Sequence, residues 1–204
     1  MVIIMIRELS KYKGLSKRKI FMILLIICLV SFIFGILFLA ILDKNGKNIV
    51  VSTINNYINN LNYDKKDLFL FFKNNVFITI IMFLFGVSLF GVIFEVLFLI
   101  AKSFILGFSF SSFIYTFKLK GVLIGIIYLF PSIFNLCIYF ILGFFALNYS
   151  IYLYKYIFKN KEYNLKLLMK KYLKVLGVSI ILLSLSSLIQ YFIIPYILKL
   201  FTKS

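Results

Sequence analysis

Histidine and tryptophan are missing from all 204 residues, and cysteine and proline occur twice each. Without histidine the commonest general base and the commonest metal ligand at neutral pH are gone. That excludes most hydrolase mechanisms, including intramembrane proteolysis by a serine and a histidine. Cys28 and Cys137 each lie inside an apolar run, with no metal-ligand or redox spacing, and read as buried small hydrophobes. Acidic residues number six, so no helix carries paired carboxylates for acid and base work, and no glycine-rich phosphate loop is present. A serine with a lysine is the one nucleophilic pairing left formally open, through SLSSL and scattered lysines, and nothing places a lysine beside a serine in the bilayer. No catalytic residue, metal site or cofactor is expected, and the chain does not read as an enzyme.

What is present is apolar. Hydrophobic residues make up 63% of the chain and charged ones 14%, far from the roughly half-apolar, quarter-charged average of soluble domains. Several runs reach the roughly 20 residues that a helix needs to cross a hydrocarbon core of about 30 Å. The expected fold is an all-α polytopic transmembrane bundle, taken as a single integral membrane domain over residues 1–204. The net charge of +17 comes from 23 basic residues set at the ends of apolar runs rather than along one soluble face. They read as anchors on anionic membrane lipid, with no nucleic acid among the partners.

Along the chain, residues 1–19 carry six basic residues against Glu8 and precede the uncharged run 20–42, a signal anchor behind a basic cytoplasmic N-terminus. Residues 43–74 mix Asp43, Asp64 and Asp67 with lysines and asparagines and read as an extracytoplasmic loop. Within it Ile49, Val50, Ile54, Tyr57, Ile58 and Leu61 form a stripe suited to a surface helix. The next run, 76–117, would be about 63 Å as one helix, twice the core thickness, so it must fold back. Cutting it near its middle predicts a turn at Glu95 to Ser103, with Glu95 and Lys102 near the head groups and about 10 Å apart. Lys118 and Lys120 close the second arm. The run 121–151, interrupted by Pro131 and Asn135, is expected to kink or break. It fits either one tilted span or a half-helix before a span. Residues 155–174 hold seven lysines and one glutamate and read as a basic cytoplasmic connector lying on lipid. The last run, 175–198, contains Gln190 and Pro195.

Five spans with the N-terminus inside put 14 basic residues on the inner side and nine outside, whereas a re-entrant hairpin over 103–130 reverses the balance. The positive-inside rule selects five spans with a cytoplasmic N-terminus. Gly86, Gly91, Gly107, Gly121, Gly125 and Gly143 supply small steps where helices approach, with self-association a further use, and Ser184, Ser186, Ser187 and Gln190 form a polar patch for interhelical hydrogen bonds.

The order of these features resembles the stage II sporulation protein M family. The features that carry it are Asn74 and Asn75 before the second span, Gly86 and Gly91, Gly107 after Lys102, Gly121 opening the next run, Pro131, and Pro195 in the last span. Gln190 stands where members often carry a glutamate. The resemblance covers about residues 17–202. It implies a multi-pass protein of the mother-cell membrane at the sporulation septum that anchors stage II sporulation protein P and, through it, protein D, during engulfment and cell-wall remodelling. Two rivals are a transporter or channel subunit using Glu95, Asn135 and Gln190 as a polar path, and a general envelope accessory of the same family.

Overall fold

The computed structural model describes residues 17–59, 65–88, 91–159 and 164–202, and among them every regular element is helical. The helices are α1 (Lys17–Ile41), α2 (Lys44–Asn59), α3 (Lys65–Val87), α4 (Gly91–Lys159) and α5 (Leu165–Thr202). Four of them, all but α2, are long and apolar enough to cross a membrane. The longest, α4, is interrupted at Lys118, whose backbone angles of φ 54° and ψ −126° reverse the chain. The two arms, 91–117 and 119–159, fold against each other as an antiparallel hairpin. Phe113 meets Tyr128 with ring centroids 4.9 Å apart, and Phe98 meets Tyr139 at 5.4 Å. A Cβ on Gly121 would fall on the Phe113 carbonyl, which shows how closely the arms pack beside the tip.

The other helices take their directions from this hairpin. In α1, Phe21 packs on Phe140 and Phe144, and Phe38 packs on Phe104 and Phe108, so α1 runs parallel to the first arm. In α3, Phe85 stacks on Phe94 while Asn75 reaches Tyr139, so α3 runs the opposite way. In α5, Tyr172 lies beside Phe83 and Tyr149, and Ser187 meets Asn75. The chain therefore crosses in five alternating arms, as the sequence predicts, with α1 starting and α5 ending on opposite sides. A core from Leu24, Met82, Leu99, Leu142, Leu147 and Leu183 joins them, while large apolar side chains such as Phe34, Phe130 and Ile181 face outward, as lipid requires.

At the side reached by the hairpin tip, α2 lies against the arms. Asp43 caps it, its Oδ1 accepting from the Gly46 N–H at 2.8 Å. The expected stripe seats Ile54 and Ile58 against Phe113, Ile124 and Phe117. Ile49 is largely exposed, and the side chains of Tyr57 and Leu61 lie outside the described residues.

Three expectations are corrected. The turn between the second and third arms is not at Glu95 to Ser103 but at Ser88–Gly91, where the Ser88 and Gly91 N–H groups donate to Phe85 and Ser88 carbonyls. The uncharged run is not centred on its turn, because α3 begins at Lys65 and brings its polar end, including Lys73 and Asn74, into helix. For the same reason residues 43–74 are not one loop: α2 and the first turns of α3 occupy most of them. The basic connector 155–174 is helical at both ends, as a lipid-lying amphipathic segment would be, α4 continuing to Lys159 and α5 starting at Leu165, where Asn164 Oδ1 accepts from the Leu167 N–H. Helix α4 also runs unbroken through Pro131; both arms are membrane-length, which removes the half-helix and re-entrant alternatives. Lys102 leaves the inner tally of basic residues, and the excess favouring an inner N-terminus survives. Residues 1–16 of the basic N-terminus lie outside the described residues.

Candidate functional site

Several buried polar groups gather in the seam between α3, the second arm of α4 and α5. Tyr139, almost fully buried, donates its hydroxyl to Asn75 Oδ1 at 3.2 Å. Asn75 Nδ2 in turn donates to Ser187 Oγ at 2.9 Å, and Ser187 donates to the Leu183 carbonyl. Thr79, one turn below, returns its hydroxyl to the Asn75 carbonyl at 2.6 Å. Three helices are thus tied by one asparagine, which offers both an acceptor and donors where lipid supplies neither. A second knot lies nearer the inner side. Tyr172 of α5 sits where a Cβ on Gly86 would be, and its hydroxyl donates toward the Met82 and Phe83 carbonyls at 3.4 and 3.3 Å. Ser150 of the second arm donates to the Ser88 carbonyl at 2.9 Å, pinning the α3–α4 turn.

Glu95 is the outlier. It is 1% exposed, and neither carboxyl oxygen has a hydrogen-bond partner. Gly143 faces it closely: a Cβ there would stand 3.2 Å from Oε2. Lys102, two turns along the same helix, instead holds its Nζ over the rings of Phe98 and Tyr139 at 5.7 and 5.9 Å. Glu95 stands one turn from the α3–α4 turn, as a place near the inner head groups requires, but it points into the bundle; Lys102 lies two turns further along the arm. Asn135 Oδ1 is likewise buried and unpartnered.

The remaining sequence candidates divide by role. Asn74 is exposed, next to the bonded Asn75. Gly91 lets α4 start against the Phe85 carbonyl, and Gly107 lets the first arm meet α1 at Phe32. Gly121 closes the hairpin. The Pro131 carbonyl accepts from Ser186 Oγ at 3.5 Å, a link between α4 and α5. Gln190 is half-buried on α5, and Pro195 is helical, its side chain outside the described residues. Glu95, Asn135 and Gln190 do not converge: Glu95 and Asn135 lie level with points about 12 Å apart along the second arm, near Gly143 and at 135 itself. Sequence reasoning missed Tyr139 and Tyr172, two among 14 tyrosines, and Gly35, which faces Gly107 across the α1 crossing. For Gly35 the available signal was its spacing four residues from Ser31, two small residues on one face of an otherwise bulky span.

The geometry ties helices together and leaves one carboxyl unanswered. The family model described as stage II sporulation protein M matches residues 23–195. No curated protein and no solved structure matches the chain.

Proposed function

The chain belongs to the stage II sporulation protein M family, and from that premise we propose that it is a non-enzymatic scaffold of the sporulation septum. It is a sporulation-related membrane protein. In the proposed role it anchors peptidoglycan-degrading partners, stage II sporulation proteins P and D, at the mother-cell membrane while that membrane migrates around the forespore. The observation that carries the reading is the extent of the match, which takes in α2 and all five arms. The packing agrees with it: the seam at Asn75 spends its polar groups between helices, and α2 is held on the hairpin tip as a fixed surface on the side away from the basic N-terminus.

Membrane-dye microscopy of sporulating cells lacking the gene tests this. Septa that form and then stall before engulfment support the scaffold. Normal engulfment overturns it and leaves the general envelope role, which expression timing would separate. Replacing α2 by an unrelated helix of equal length, with the arms intact, should abolish partner recruitment; undisturbed recruitment removes α2 from the docking surface.

Buried, unpartnered Glu95 favours a second reading, a transporter subunit, since ionisable groups inside membranes are costly and tend to be functional. Substrate flux in proteoliposomes that is lost in Glu95→Gln would establish it, and flux indifferent to that change would dismiss it.

A further inference from the structure

A groove of about 520 Å³ opens on the lipid-facing side between α1 and the second arm of α4. Phe21 and Phe144 line one end, Cys28 and Cys137 the middle, and Phe32 and Ile133 the other end. Its walls are apolar throughout. From Phe21 to Phe32 it extends about 17 Å along α1, close to half of a hydrocarbon core of about 30 Å. It starts at the inner boundary, because the exposed Arg18 and Lys19 stand within one turn of Phe21. The groove therefore has the length and the depth of one leaflet.

Its inner mouth is basic on the α1 side, where exposed Arg18 lies one turn before Phe21 on the face that lines the groove. A transmembrane helix, about 10–12 Å across with its side chains, is too wide for a slot of this volume. An extended acyl chain is not.

We propose that this groove is a binding site for one anionic phospholipid of the inner leaflet, its acyl chain between α1 and α4 and its phosphate near Arg18. The site is independent of the scaffold reading and requires only that the arms span the bilayer. Charge at the mouth sets the headgroup class, and each basic residue near a membrane surface favours an anionic lipid by about fivefold.

The absence of tryptophan makes a single introduced indole an unambiguous reporter. Full-length Leu29→Trp, on the groove rim, and Ile181→Trp, outward on α5, would be reconstituted separately in phosphatidylcholine vesicles. Mid-chain dibrominated phosphatidylglycerol or phosphatidylcholine is then added in steps. Expected is half-maximal quenching of the Leu29→Trp reporter at about fivefold lower brominated phosphatidylglycerol than for Ile181→Trp. Brominated phosphatidylcholine should show no such difference, and adding Arg18→Gln should erase the preference. Equal quenching at both positions by both lipids would overturn the proposal, leaving ordinary boundary lipid. So would a groove reporter shielded from every brominated lipid, which would mean that a protein segment fills the slot. Phe32→Trp serves as the groove reporter should Leu29→Trp fail to fold by circular dichroism.

Discussion

Replacing Gly35 and Gly107 by alanine, singly and together, tests the close crossing of α1 on the first arm of α4. A Cβ on Gly35 falls on the Phe104 carbonyl oxygen and stands 2.9 Å from the Phe108 nitrogen. A Cβ on Gly107 falls on the Phe32 carbonyl oxygen, 3.2 Å from the Ile36 nitrogen. Every one of these obstacles is backbone, so no side chain can rotate away, and α1 must part from the first arm of α4 by about 1 Å. A gap of that size forfeits roughly a quarter to a half of each dispersion contact across the seam. It also loosens the pairs that Phe38 makes with Phe104 and Phe108, now at 5.4 and 5.9 Å. Each single substitution should therefore cost about 2 kcal/mol, within the range for overpacked cores. One outward movement relieves both clashes, so the double variant should cost about 2–3 kcal/mol rather than the sum, a coupling of about 1–2 kcal/mol. Unfolding of the full chain by SDS in mixed micelles, followed by circular dichroism, measures all four proteins. Strictly additive costs, or singles below about 0.5 kcal/mol, would refute a shared backbone crossing.

The same titration checks three further outcomes. Asn75→Leu breaks the bonds to Tyr139 and Ser187 and should cost about 1–2 kcal/mol, while Ser187→Ala in that background should add almost nothing; a full additional loss would show that Asn75 is not their common hub. Glu95→Met removes a buried carboxyl without a partner and should stabilise the protein by about 1–3 kcal/mol, whereas a loss of stability would mean that the carboxyl is bonded after all. Lys118→Gly relieves a backbone conformation that glycine alone adopts readily and should gain about 1 kcal/mol; no gain would indicate that the hairpin turn carries no strain.

The spans, the stripe of α2 and the reversal at Lys118 could be read from the sequence because each is marked by a change from apolar to polar. The position of the α3–α4 turn could not, since GVSLFG lies inside an uncharged run and its glycines read equally well as packing steps. Burial was harder still. In lipid both faces of a helix are apolar, so the periodic contrast that reveals a soluble core is lost. Nothing in FEVLF showed that Glu95 turns into the bundle at Gly143 rather than outward, since length sets only its depth. Tyr139 and Tyr172 were hidden similarly, because a tyrosine that bonds helices together looks the same in sequence as one that floats at the interface.

Two arms of 27 and 41 residues joined through one non-helical lysine leave no slack for one arm to insert while the other waits outside. Lys118 and Lys120 must pass through the hydrocarbon, at about 3 kcal/mol for each charge at its centre, and the apolar length that outweighs this is divided between the arms. The bilayer therefore receives α4 as one indivisible piece. A chain cut just beyond Lys120 would hold only half of the driving force, with its two charges at the leading end, and during synthesis the crossing has to wait until the second arm has left the ribosome.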